Sequence, residues 1–114
     1  MTPTKLYVGQ PLNDGRFVVF TKIRGKMGRP LQFRRDLVSF GDGGFSWGQD
    51  DNGRNLLALS LIADAVDDEM AIAAYEPFGR TVFEFMPPFH QWRLCEHQVA
   101  AIAQSCVRRI GRAA

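Results

Sequence analysis

The chain has 114 residues, of which 46% are hydrophobic and 23% charged, and a formal net charge of +2. That length points to a single domain, residues 1–114, able to bury most of its apolar side chains in one core. No segment approaches the roughly 20 continuous apolar residues needed to cross a bilayer. MTPTKLYVGQ lacks the basic stretch leading into an apolar run that marks a secretory signal, so a cytoplasmic protein without membrane contact is expected.

Lys5 to Gly9 reads as a short strand, followed by a turn built from Gln10, Pro11, Asn13, Asp14 and Gly15. From Arg16 to Arg24, Phe17, Val19, Thr21 and Ile23 alternate with Arg16, Val18, Phe20, Lys22 and Arg24, the period of two that defines a half-buried strand. RGKMGRP, residues 24–30, carries two glycines, a proline and four cations and reads as a mobile connection. A further extended run, Leu31 to Phe40, is expected to complete an antiparallel meander. Gly41, Asp42, Gly43 and Gly44 then form a turn, and Phe45 and Trp47 alternate with Ser46 as the inward-pointing end of the sheet.

The most apolar stretch comes next. Arg54 to Val66 predicts a helix whose polar positions Asn55, Ser60 and Asp64 lie with Asp67 along a narrow strip. Leu56, Leu57, Leu59, Leu61, Ile62 and Val66 occupy the rest of its circumference, so the helix must be covered on most sides. Asp67 is placed to cap a second, short helix with Asp68 and Glu69 in its first turn, Met70, Ala73, Ala74 and Phe78 on its apolar side and Gly79 as its stop. Thr81 to Met86 alternates like another strand, ended by Pro87 and Pro88. From Glu96 to Ile110, Val99, Ile102, Ala103, Cys106 and Ile110 form one apolar stripe, with Arg108, Arg109 and Arg112 at the carboxyl end. Strands, two helices, a strand and a helix give an α+β class: a small antiparallel sheet packed on a buried central helix.

GFSWG, Gly53 before the helix, LLALSLIAD, the spacing of Ala74, Tyr75 and Phe78, Trp92-x-Leu94, Tyr7-x-Gly9 and Leu31 to Leu37 together resemble a bacterial and phage family defined only as domain of unknown function number 6166. The resemblance spans Tyr7 to Ile110. It implies a small cytoplasmic protein of mobile or accessory genes and supplies no catalytic residues. Where that family has a tyrosine, glycines and a proline after Trp-Gly, this chain has Gln49, Asp50, Asp51, Asn52, Gly53 and Arg54.

The chemistry readable from the residues is sparse. A turn opening a helix favours anions, but Asp50 and Asp51 already occupy that field, and neither a Walker lysine nor a GxGxxG spacing is present. DDNG as a calcium loop would need its bidentate glutamate on the apolar helix. His90, Cys95, His97 and Cys106 are the soft metal ligands, without a CxxC or HxxxH bite, so no metal and no cofactor is expected. Cys95 and Cys106, eleven apart on a helix and so roughly 16 Å in rise, are beyond disulfide reach. Cys95 with His97 leaves a small enzyme as an outside alternative to a non-catalytic protein.

Charge is distributed unevenly along the chain. Residues 1–35 hold eight basic groups and one acid, residues 36–76 one basic group and nine acids, and residues 77–114 five basic groups and two acids. Lys22, Arg24, Lys26 and Arg29 crowd around one glycine-containing turn, with Arg34 and Arg35 after it and Phe20 and Phe33 interleaved. These eight residues are the candidate binding site. Cations interleaved with aromatics suit a protein interface or the phosphates and bases of a nucleic acid, and a solvated hairpin with no binding role also accounts for them. The expectation is a non-catalytic binding module of an accessory or mobile element, engaging a host protein or ribonucleoprotein, with phage counter-defence as one specific version. Direct nucleic-acid binding through the basic hairpin 16–35 is the alternative.

Overall fold

The computed structural model describes residues 4–23, 26–48 and 50–113. Arg24, Gly25 and Gln49 lie outside the described residues, as do the side chains of Arg109, Ile110 and Arg112. Four strands, β1 (Lys5–Pro11), β2 (Phe17–Ile23), β3 (Lys26–Pro30) and β4 (Trp92–Cys95), form an antiparallel sheet in the order β3-β2-β1-β4. Three helices complete the fold: α1 (Asp51–Ala65), α2 (Asp68–Val82) and α3 (Glu96–Ala113). This is the α+β arrangement expected.

β1 and β2 form a hairpin because their period-two patterns match across a tight turn. Leu12 N–H donates to the Arg16 carbonyl at 2.7 Å, and Gly15 N–H donates to the Leu12 carbonyl at 3.1 Å. Gly15 takes φ 87°, where a side chain would be strained. The register pairs Tyr7 with Thr21 and Leu94, and Gly9 with Val19 and Trp92, so these residues share the inner face. Gly9 has a specific use there: a Cβ on it would sit inside the Trp92 indole. That indole meets Trp47 edge-on at 5.6 Å and Phe83 at 5.0 Å, and Trp47 meets Phe17 at 4.7 Å.

α1 is the centre of the core. Leu56, Leu57, Ala58, Leu59, Ser60, Leu61 and Ile62 are each at most 1% exposed, so for two turns the helix has no solvent side. It starts at Asp51, earlier than the apolar pattern suggests, because Asp50 caps it: the carboxylate accepts from Gly53 N–H at 3.4 Å and from the Ser46 hydroxyl at 2.8 Å. Only two residues separate α1 from α2. Asp67 caps α2 as the sequence indicates, accepting from Met70 N–H at 2.7 Å. α3 follows β4 directly, with the Cys95 N–H donating to the Gln98 side chain at 2.9 Å. It buries Val99, Ala103 and Cys106 from the expected stripe, and no disulfide joins Cys95 to Cys106.

Five readings of the sequence are corrected. Thr81 to Met86 is not a strand and Gly79 is not a helix stop, since α2 runs on to Val82 and is as long as α1. Gly79 instead serves close packing: a Cβ there would lie 3.2 Å from Arg54 Cγ, where α1 and α2 cross. Leu31 to Phe40 is not an extended run; the third strand lies just before it, at Lys26–Pro30, inside the stretch read as a connection. Phe45 to Trp47 belongs to no strand, although both aromatics are buried as expected, at 5% and 1% exposure. The edge strand β4, unread in the sequence, fills the fourth place in the sheet.

Tyr7 fastens β1 to α1. Its hydroxyl donates to Asp64 Oδ2 at 2.6 Å, and the same oxygen receives Lys5 Nζ at 3.0 Å. Burial first, then the Asp64 hydrogen bond and the charges of Asp64 and Glu96, push the phenol well above its ordinary 10.0.

Two outcomes test this architecture. Leu59→Ala or Ile62→Ala should cost about 2–5 kcal/mol in urea unfolding, because each leaves a cavity in a fully enclosed site. Because the folded phenol of Tyr7 titrates above its unfolded value, its contribution is intact below pH 10 and is lost as pH rises. Stability should fall above pH 10 by up to about 1.4 kcal/mol per pH unit from this group. A Tyr7→Phe variant should show a shallower alkaline slope.

Candidate interaction surfaces

Seven of the eight residues picked out in the sequence are described, and they occupy three separate places. Lys22 and Phe20 stand on the outer face of β2, with Lys22 Nζ 5.9 Å from the Phe20 ring centre. Val8 pairs with Phe20 on one side and Arg93 on the other, so β4 adds an exposed cation to that face. Leu6, Val18 and Phe20 are half-buried there, and Val8, although 1% exposed, belongs to no part of the core around α1. Lys26, opposite Ile23, and Arg29 are exposed on the edge strand β3. A register shift at this edge is tied down by Thr21, whose hydroxyl donates to the Arg29 carbonyl and accepts from the Arg29 N–H, each at 3.2 Å. Lys22, Lys26 and Arg29 make no ion pair among the described residues. Arg24, between β2 and β3, lies outside the described residues.

Arg34, Arg35 and Phe33 are elsewhere, on the loop after β3, and the fold itself uses them. Arg34 N–H donates to the buried Ser60 hydroxyl at 3.2 Å, and its guanidinium forks between Asp36 and Asp68 at 3.0–3.1 Å. The Arg34 hydrogen bonds hold Asp36 below the usual carboxylate range. Arg35 lies over the Phe33 ring at 4.4 Å and donates to the Gly43 carbonyl at 2.7 Å. With Lys5 on Asp64, the Arg34–Asp68 pair joins the basic first third to the acidic middle, so part of the charge asymmetry is neutralised internally.

The sequence reading missed the most exposed apolar residues. Phe85 is 86% and Phe89 79% exposed, on the loop between α2 and β4. That loop is held at its base. Trp47 Nε1 donates to the His90 carbonyl at 3.1 Å and Gly48 N–H to the Phe83 carbonyl at 2.8 Å; Met86 N–H closes onto Phe83 at 3.2 Å and His90 N–H onto Pro87 at 3.1 Å. Gly48, at φ 96°, passes so close that a Cβ would lie 3.2 Å from the Met86 carbonyl. Pro87 and Pro88 stiffen the tip further. The signal in the sequence was three phenylalanines, Phe83, Phe85 and Phe89, with Pro87 and Pro88 between the last two.

The remaining candidates do not converge. Cys95 is half-buried at the end of β4 and His97 is exposed on α3. Among the described residues no three His, Cys, Asp or Glu side chains gather to hold a metal ion. No helix among them is long and apolar enough to cross a membrane.

The fold is thus that of a small α+β protein with an outer sheet face apart from the core around α1 and an aromatic loop held at its base. The chain belongs to the family of unknown function DUF6166, which matches residues 7–105. No curated protein and no solved structure matches it.

If the hairpin cations have no folding role, changing Lys22, Lys26 and Arg29 together to Gln should leave unfolding free energy within about 0.5 kcal/mol of the parent. Arg34→Ala should instead cost about 1 kcal/mol, because it releases two ion pairs, one with Asp36 inside the loop and one with Asp68 that ties the loop to α2. Urea titration of both variants measures the contrast.

Proposed function

We propose that the protein is a non-catalytic binding module of an accessory or mobile genetic element, acting in the cytoplasm on a host macromolecule, with phage counter-defence as one specific version. The observation that carries the binding reading is the display of Phe85 and Phe89, at 86% and 79% exposure, on a loop fastened by Trp47 and Gly48. Two phenylalanines left in water forgo about 1.5–3 kcal/mol each of burial. Contiguous apolar exposure of this kind marks interaction sites. A loop already fixed at its base loses little freedom on docking, and aromatic anchors are the residue type that dominates interface energetics. A host protein with an apolar pocket is therefore the favoured partner.

A second reading, nucleic-acid binding, is favoured by the outer sheet face, where Lys22 and Arg93 flank Phe20 and the exposed cations Lys26 and Arg29 stand at the edge. Such a face can neutralise phosphates and stack a base.

Affinity capture from host lysate, with and without nuclease, separates the two. The expected result is a protein retained after nuclease treatment and at high salt, lost with Phe85→Ser/Phe89→Ser, while that variant melts as the parent does. Capture that survives this substitution, but disappears with nuclease and in the Lys22, Lys26 and Arg29 variant, would transfer the function to the sheet face. Its affinity should then fall with salt at roughly 0.7–0.9 logarithmic units per phosphate contact.

A further inference from the structure

The β1–β2 turn, the segment from Phe40 to Ser46 and the start of α1 enclose a cleft of about 690 Å³, a size typical of small-molecule sites. Phe17, Phe33, Phe40 and Phe45 contribute to its walls, and Arg16, Asp42 and Asp50 are its charged lining groups. These charges are not equivalent. Arg16 Nε donates to Asp14 at 2.7 Å and its N–H to the same carboxylate at 3.1 Å, so this cation is neutralised within its own turn. Asp42 and Asp50 are in no ion pair among the described residues. Among the described residues the Asp50 carboxylate accepts from neutral donors, the Ser46 hydroxyl and the Gly53 N–H.

Two carboxylates beside the cleft repel anions and favour positive charge. The rings act in the same direction, because the face of an aromatic ring is electron-rich and attracts cations. Phe33 already holds a cation, the Arg35 guanidinium over its ring at 4.4 Å. That guanidinium donates to the Gly43 carbonyl at 2.7 Å and offsets one of the two carboxylate charges, so the cleft keeps a net negative charge. Phe17, Phe40 and Phe45 are the rings left for a ligand. The entrance is open: at Gly41 and Gly43 nothing lies within 4 Å of where a Cβ would stand.

We propose that this cleft binds an organic cation, an ammonium or guanidinium carried on an apolar body, with the body against the phenylalanines and the charge toward Asp42 and Asp50. The cation is either a free amine or a basic side chain of a partner protein. The site uses no residue of the Phe85–Phe89 loop, so its test is independent of the proposed function.

The test is a titration of the full chain, followed by amide NMR shifts, with phenyltrimethylammonium as probe and benzyl alcohol and benzoate as neutral and anionic controls. The expected result is a saturable response at Gly41, Gly43, Gly44 and Ser46 for the ammonium, with both controls at least about tenfold weaker. Asp42→Asn/Asp50→Asn should weaken ammonium binding at least about tenfold; asparagine still caps α1, so the fold is kept. Should the double variant fail to fold, Asp42→Asn alone, in an exposed turn, must still weaken binding. A peptide bearing trimethyllysine that binds more tightly than the free ammonium assigns the site to a partner's side chain, and the reverse assigns it to a small amine; the cation class stands in both cases. Equal binding of benzoate, a response confined to other residues, no saturation, or unchanged affinity in the asparagine variants would overturn the proposal.

Discussion

A helix with no outside makes every other element a cover. From Leu56 to Ile62 nothing on α1 is more than 1% exposed, so its stability comes from being enclosed by the inner sheet face, by α2 and α3, and by the long loop from Leu31 to Gly48. Such enclosure leaves polar groups nowhere to go unless they are paired. Ser60 and Arg54, buried on α1, each take a partner that attaches a cover, although Arg54 Nε and Asn55 Oδ1 are buried there without a hydrogen bond among the described residues. Ser60 receives the backbone N–H of Arg34, holding the loop down. Arg54, 5% exposed, donates to the Gly48 carbonyl at 2.9 Å and pairs with Asp51 while its stem lies against Gly79.

The same enclosure explains what could be read in advance. An unbroken apolar circumference has one physical solution, a buried helix, and Asp67 followed by two more acids has one good use, capping the next. β1 and β2 were legible because one face of each is buried and the period of two survives. β4 was not: four residues carry too little pattern, and WRLC is a strand only because β1, far away in sequence, offers it an edge. Gly79 shows a deeper ambiguity. A glycine near the end of an apolar helix pattern reads equally as a stop or as a place where another chain comes close, and only the position of Arg54 decides between them. Valine and phenylalanine at positions 82, 83 and 85 favour strands locally, yet packing carries α2 past Pro77 to Val82 and buries Phe83 completely.

The candidate site was less legible than the fold, for a related reason. Nearness in sequence grouped Lys22, Arg24, Lys26, Arg29, Arg34 and Arg35, but the chain turns between them. Arg34 and Arg35 serve the fold, through Asp36, Asp68 and the Gly43 carbonyl, whereas Lys26 and Arg29 face water and Lys22 is half-buried on the outer sheet face. Arg93, which joins Lys22 on one sheet face, is contributed by the strand that the sequence did not announce. The aromatic cleft is likewise assembled from residues of separate segments, none conspicuous alone. Phe85 and Phe89 were visible as residues but not as exposed ones, since exposure depends on what the rest of the chain fails to cover.

The pairing of β1 with both β2 and β4 has a consequence for how the protein is made. β2 follows β1 at once, but β4 is synthesised only after α1 and α2. On a growing chain, β1 therefore keeps one edge open, with Gly9 awaiting the Trp92 indole, for most of translation. An open edge of this kind accepts any extended segment that passes. Until Trp92 arrives, the nascent hairpin is exposed to the strands of its neighbours on the same polysome, and the rate of elongation through α1 and α2 sets how long that exposure lasts.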